Sequence, residues 1–170
     1  SEGWAYYEWR WRYKEFTSRP RNFSEPLWLG NEKILNKTIL LHGEQGLGDI
    51  IQFCRFTKNV NMLGARVILE VPKSLVQICK TLEGVSEVVA EGDPLPNFDY
   101  QTPLGSLPLA FNCELNSIPA TGSYLKAPVE KINYWKERLG EKKKPRIGIV
   151  WSSVSPFKAD LHRSTSFEMF

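Results

Sequence analysis

Short apolar runs alternate along this chain with longer segments of helical period. "TILLHG" (38–43), "RVILEV" (66–71), "SEVVAEG" (86–92), a short "FDYQTP" (98–103) and "RIGIVWSS" (146–153) are predicted strands. Between them, "DIIQFCRFTKNVNML" (49–63) puts Ile50, Phe53, Cys54 and Thr57 on one helical face, and Gly64 ends it. "SLVQICKTL" (74–82) reads as a second helix, begun by a serine cap after Pro72 and stopped near Gly84. "GSLPLAFN" (105–112) makes a turn of helix, and "VEKINYWKERLG" (129–140) an amphipathic helix with Ile132, Trp135 and Leu139 on one side. Strands alternating with helices predict βαβ units, a parallel sheet and right-handed crossovers. The expected fold class is α/β, a Rossmann-like doubly wound parallel sheet.

The two ends of the chain break this pattern. Residues 1–16 hold Trp4, Tyr6, Tyr7, Trp9, Trp11, Tyr13 and Phe16, interleaved with charges. Trp4, Tyr7 and Trp11 share a helical face, so a helix to about Phe16 is expected. These aromatics need a partner surface, either this domain or something upstream. Residues 17–37, punctuated by Pro20, Pro26 and Gly30, read as a surface connector. Residues 146–170 hold a strand, a polar loop and a few helical residues, too little for a domain. The chain is therefore read as a fragment: one complete Rossmann-like domain and the first unit of a second.

Composition narrows the function classes. With 170 residues, 42% hydrophobic and 24% charged, the chain has the balance of a globular protein. A net charge of +3 is too small to argue for nucleic acid, and "EKKKPR" (141–146) reads as a solvated connector. No apolar run approaches the ~20 residues of a membrane span, and no signal segment opens the chain. A soluble, cytoplasmic protein is expected. Cys54, Cys79 and Cys113 are odd in number and widely spaced, which suits buried free thiols better than a disulfide or zinc site.

The candidate chemistry sits in "LLHGEQGLGDIIQF" (40–53), an apolar run that empties into a glycine-rich turn. Gly43 and Gly48 have the spacing of a phosphate-binding P-loop, but Asp49 and Ile50 stand where lysine and a hydroxyl are needed. Gly46 and Gly48 match two glycines of the dinucleotide fingerprint, and Glu70 lies about where a ribose-binding acid belongs, but Ile51 replaces the third glycine. A third reading makes Asp49 the reactive group. A carboxylate at a helix N-terminus is favoured by the macrodipole by ~0.3–1 kcal/mol. At the C-terminal edge of a parallel sheet it could accept a proton from a substrate hydroxyl, with Gly46 and Gly48 leaving room. On residue types alone, a simple helix cap is the favoured reading of Asp49.

Several other residues carry weaker signals. His42 could contact substrate or be a packed, hydrogen-bonded strand residue. Glu44 and Gln45 could bind acceptor hydroxyls. Asp93 and Asp99 read as loop caps, and His162 has no assigned place. No cluster has metal-ligand spacing, so a metal-independent reaction is expected.

"GWAYYEWRWR", the proline-rich connector and "ILLHGEQGLGDIIQFCRF" together resemble bacterial proteins that join tetratricopeptide repeats to a glycosyltransferase module. That module is similar to the heptosyltransferases of glycosyltransferase family nine, with GT-B architecture. The likeness continues through "GARVILEV", "LEGVSEVVAEGDPLPNFDYQTPLGSLPLAF" and "RIGIVWS".

The resemblance implies residues 1–36 as helix and connector from an upstream repeat region. It implies residues 37–140 as the acceptor-side domain and 146–170 as the start of a second, donor-binding domain. It makes Asp49 the catalytic base, with Gly46, Leu47 and Gly48 lining the acceptor side. It places Ser152, Ser153, Lys158 and Arg163 near the diphosphate of a nucleotide-sugar, which is a co-substrate and not a cofactor. The acceptor would be a hydroxyl of a glycan, a lipid-linked sugar or a protein. Where related chains often carry "WAGNP", this one has "WSSVSP", a departure on the donor side.

Overall fold

The computed structural model describes residues 2–119, 122–151 and 164–170. They divide into two compact units, Ser1–Lys131 and Ile132–Phe170.

The first unit is built on four parallel strands: β1 (Thr38–His42), β2 (Arg66–Val71), β3 (Glu87–Ala90) and β4 (Tyr100–Pro103). Their order is β3-β2-β1-β4, so β1 is central, with β2 and β4 on its two sides. This is the expected α/β class with a parallel sheet. Five of the six β2 residues and four of the five β1 residues are buried, which is why both strands read as unbroken apolar runs.

The helices cover one face of the sheet. They are α2 (Leu47–Phe53), α3 (Thr57–Met62), α4 (Val76–Cys79) and α5 (Leu107–Ala110). Ile39, Leu41, Val67, Leu69 and Val71 meet Ile50, Phe53, Val60, Leu75, Cys79 and Leu107 there in one core. The strand residues in between, Leu40, Ile68 and Val89, face a smaller cluster of Phe23, Leu95 and Phe98. No helix among the described residues covers that second face; the 91–99 crossover and the connector do so instead. The predicted helix at 49–63 is two short helices joined by a 3-10 turn, Cys54–Phe56, and it ends at Gly64 (φ +84°) as expected. The predicted helix at 74–82 is shorter, because its first turn, Lys73–Leu75, is 3-10 and follows Pro72 with no side-chain cap.

The N-terminal helix is shorter than the aromatic pattern suggested. α1 (Glu2–Tyr7) passes into a 3-10 turn, Glu8–Arg12. Part of it packs on the domain: Trp4 Nε1 donates to the Cys113 carbonyl at 2.9 Å, and the Trp4 ring meets Phe53 edge-on. Tyr6, Trp9 and Tyr13 stay exposed, with Arg12 stacked 4.2 Å from the Trp9 ring centre.

Residues 17–37 form no helix or named strand and are mostly exposed, as a surface connector should be, but two of them are anchored in the core. Trp28 is 1% exposed and Ile34 2%. Trp28 Nε1 donates to the Glu32 carbonyl, its ring meets Phe111, and its carbonyl accepts from Thr102 Oγ1 at 2.8 Å. Gly30 makes this possible: its φ is +94°, and a Cβ there would lie 2.1 Å from the Ala110 carbonyl oxygen. Polar, proline-broken sequence hid a segment whose two apolar anchors are buried by partners far along the chain.

α6 (Val129–Leu139) contains the boundary between the units. In the second unit, Arg146 Nη2 donates to the carbonyls of Leu139, Gly140 and Glu141, meeting acceptors left open at the end of α6. The expected strand at 146–153 is not formed over its described part. Residues 146–151 carry no strand pairing, and Ile147 and Val150 are 85% and 89% exposed. A strand exists only through its ladder with a neighbour, and no strand among the described residues of this unit offers one. Trp151 meets Phe167, and its carbonyl accepts from Thr165 N.

Candidate functional site

The glycine turn follows directly from the end of β1. Gly43 N donates to the Glu70 carbonyl, tying the turn to the end of β2. Gln45 has φ +61°, a left-handed conformation that a non-glycine residue adopts at a cost. It is held from both sides: Gln45 N donates to Ser18 Oγ at 2.8 Å, and Gln45 Nε2 donates to the Tyr7 hydroxyl. Gly46 then caps α2 with extended backbone.

Asp49 lies in the first turn of α2, half-buried, and its Oδ2 accepts from Gly46 N at 3.1 Å. The capping role is therefore real. Oδ1 accepts no hydrogen bond from the described residues. Gly46, Leu47 and Gly48 are exposed around it. A Cβ on Gly48 would have nothing within 4 Å, and its φ is not left-handed, so neither packing nor backbone demands glycine there.

A crevice of about 450 Å³ opens at the C-terminal ends of β1, β2 and β3, where open α/β sheets bind ligands. Gly43, Glu44 and Gln45 line it from the turn, and Glu70, Val71 and Pro72 from the end of β2. Its opposite wall comes from the connector: Ser18, Arg19 and Arg21. Arg21 pairs with Glu70 and lies 4.5 Å from the Phe23 ring centre. Glu70 is thus buried and engaged by a guanidinium instead of being presented to a ribose. Asp49, Gly46, Leu47 and Gly48 do not line this crevice; they lie on the adjacent surface of the turn.

The sheet order changes direction between β1 and β4, and that switch point is filled. Arg10, 7% exposed, reaches in from the N-terminal segment to Glu44, 6% exposed. Arg10 Nη2 donates to Glu44 Oε1 at 2.8 Å and to Ser106 Oγ at 2.8 Å, and Nη1 donates to Glu8 Oε1 at 2.7 Å. Burial pushes the Glu44 carboxyl up, and the bonds from Arg10 draw it only partly back. A Cβ on Gly105 would lie 2.0 Å from Glu44 Oε1, so glycine is what admits the carboxylate. Glu44 is committed to this ion pair, which leaves Gln45 as the more open of the two residues.

His42 is buried on the second face of the sheet. Its Nε2 lies 3.0 Å from Gln101 Oε1, and its ring packs against Phe23. Burial lowers its pKa from 6.5 to about 4; Gln101 pulls upward, while Arg21 and Arg10 push further down. The geometry makes it a packed residue and not an acceptor contact. A folded-state value below the unfolded one means that the unfolded chain binds the proton first as pH falls. Stability should therefore fall by about 3 kcal/mol between roughly pH 6.5 and 4 on account of this one group. Urea unfolding at several pH values checks it: His42→Gln should remove that part of the slope, and a slope equal to wild type would refute the assignment.

The three cysteines are buried and free, as expected. Hydrogen bonding with Cys79 and burial push the Cys54 thiol up, which suits an inert core thiol and not a nucleophile. Asp99 accepts from Thr38 N at 2.8 Å and from Lys37 Nζ, holding the start of β1 as a loop cap. Ser152, Ser153, Lys158, His162 and Arg163 lie outside the described residues. Among the described residues no group of three or more His, Cys, Asp or Glu could hold a metal, and no helix is long and apolar enough to cross a membrane.

Sequence reasoning missed Arg10, Ser18, Arg19 and Arg21, which shape this edge. "SRPR" is a local cluster of cations around a proline, but nothing in it shows which surface it faces. Compared with protein-family models, curated proteins and solved structures, the chain gave no match.

Proposed function

We propose that the chain is the acceptor-side domain of an inverting, metal-independent GT-B glycosyltransferase, with Asp49 as general base. The observation that carries the reading is Gly48. Glycine is a poorer helix residue than alanine, by roughly 0.5–1 kcal/mol in a helix interior and by less in the first turn, where Gly48 stands. Here no contact and no positive φ offsets that cost. The open space lies beside a carboxylate with one oxygen occupied in the cap and the other without a hydrogen bond. Room for a substrate accounts for both features.

On this reading, an acceptor hydroxyl enters beside Gly46, Leu47 and Gly48. Asp49 takes its proton as the oxygen attacks the anomeric carbon of a nucleotide-sugar, and the nucleotide diphosphate leaves from the opposite side. Ser152, Ser153, Lys158 and Arg163 would stabilise that leaving group. Gln45 would add a polar contact to the acceptor. The upstream repeats and the compartment belong to the same proposal: a cytoplasmic enzyme tied to helical repeats.

The test is nucleotide diphosphate release by the full-length protein over a panel of nucleotide-sugars and hydroxyl acceptors, followed by mass spectrometry. Release with one donor supports the reading; none with any pair overturns it. Gly48→Ala sharpens the test. It should raise the stability of the domain slightly, by less than the helix-interior value of roughly 0.5–1 kcal/mol, while lowering transfer. A variant equally stable and equally active would remove the argument from Gly48.

A further inference from the structure

Two consecutive residues of the glycine turn are gripped by the segment that precedes β1. Arg10 Nη2 donates to Glu44 Oε1 at 2.8 Å. Gln45 donates twice, from its backbone N to Ser18 Oγ at 2.8 Å and from Nε2 to the Tyr7 hydroxyl. All of these residues belong to the first unit.

Gln45 stands in a conformation that suits it poorly. The turn contains three glycines, yet its left-handed position falls on Gln45, at φ +61°, and not on Gly43, Gly46 or Gly48. The other non-glycine residues with positive φ among the described residues are Asn36 and Asn112. Asparagine tolerates that region because its short side chain can bond nearby backbone; the longer glutamine side chain lacks this local help. Gln45 is held from outside instead. Neither bond is needed to keep the segment docked, since Trp4 packs on Phe53 and Arg10 is buried against Glu44. The next N–H along the chain, that of Gly46, donates to Asp49 Oδ2 at 3.1 Å. The backbone angles of Gln45 therefore set where that N–H points, and with it the direction of the Asp49 carboxylate.

We infer that Tyr7 and Ser18 are positioning residues. They hold Gln45 left-handed, and through it they hold the Gly46 N–H and the carboxylate that caps α2. The catalytic consequence rests on the proposed role of Asp49. On that reading the aromatic N-terminal segment belongs to the site: it sets the direction of the base without touching substrate.

The test separates the turn from the reaction. A left-handed residue brings its amide proton and Hα closest together, so Gln45 in the 170-residue chain should show a strong intraresidue Overhauser effect between them. Tyr7→Phe combined with Ser18→Ala should reduce it to the level of ordinary residues. Phenylalanine keeps the ring that meets Trp4 edge-on and lies 4.6 Å from the Arg10 guanidinium, so the two changes remove hydrogen bonds and little packing. Gln45→Gly and Gln45→Ala both lose the Tyr7 bond, but only glycine takes positive φ freely, so Gln45→Gly should unfold at the higher urea concentration. A residue 45 that is not left-handed would give the reverse order. In the full-length protein the double variant should lower kcat for nucleotide diphosphate release about tenfold with KM nearly unchanged, because a misdirected base costs rate and not binding. An unchanged Overhauser effect in the double variant, a higher urea midpoint for Gln45→Ala, or an unchanged kcat would each overturn the inference. The first two readouts need no turnover. A wild type that releases nothing from any donor would therefore sink the proposed reaction alone, and those two readouts would still decide whether Tyr7 and Ser18 hold the turn.

Discussion

Asp49→Asn should lower nucleotide diphosphate release by about 10²–10⁴-fold, the usual worth of a general base. Asparagine is the informative replacement because Asp49 holds two jobs. Its Oδ2 accepts from Gly46 N at the start of α2. An asparagine oxygen can still accept that bond, so the helix keeps its cap and loses only the charge–dipole contribution of ~0.3–1 kcal/mol. Alanine removes the cap too, typically ~0.5–2 kcal/mol, and would mix a folding defect into the kinetics. Unfolding curves of wild type and Asp49→Asn should nearly overlay while the rates separate. A variant that keeps more than about a tenth of the rate would leave Asp49 as a cap and nothing more.

The second large effect concerns stability. Arg10→Ala should cost about 3–5 kcal/mol, because it strands the buried Glu44 carboxylate without its partner. That is a large share of the 5–15 kcal/mol that holds an ordinary domain. Lysine should not rescue it. One ammonium cannot reproduce a planar fork that serves Glu44, Glu8 and Ser106 together. Removing both partners, as in Arg10→Met with Glu44→Leu, should cost much less than Arg10→Ala alone. Urea unfolding of the three variants decides it. A loss under about 1 kcal/mol for Arg10→Ala would mean that the N-terminal segment is not anchored through this pair.

The contrast between these two residues explains what could be read from the sequence. Asp49 was legible because its setting is local. The apolar run of β1, the glycines and the start of α2 occupy consecutive positions, so periodicity alone places the turn at the C-terminal edge of a strand. β2 was legible for the same reason, and its predicted bounds match. The pairing of Arg10 with Glu44 was not legible, since they are 34 residues apart, Arg10 looks like an ordinary exposed charge, and Glu44 in the turn reads as an acceptor contact. Trp28 sat among prolines and polar residues, and only Phe111 and Thr102, far along the chain, make its burial intelligible. His42 was ambiguous between substrate contact and packing, and Phe23 and Gln101 decide for packing. The strand expected at 146–153 failed in the opposite sense. Its residue types suit a strand, but type cannot provide a neighbour.

The stretch around Trp28 has one more consequence. β4 ends the sheet on its side, and its outer backbone would otherwise be open. Trp28 N donates to the Gln101 carbonyl at 2.9 Å and Gln101 N donates to the Pro26 carbonyl at 3.1 Å, with Leu27 bridged in parallel to Gln101. The connector is therefore a one-bridge fifth strand. It occupies donor and acceptor positions through which a bare edge would recruit another chain, and Pro26, which has no N–H, keeps the new border from offering a full row of donors. The same residues that fill the core from this side also guard the sheet against self-association.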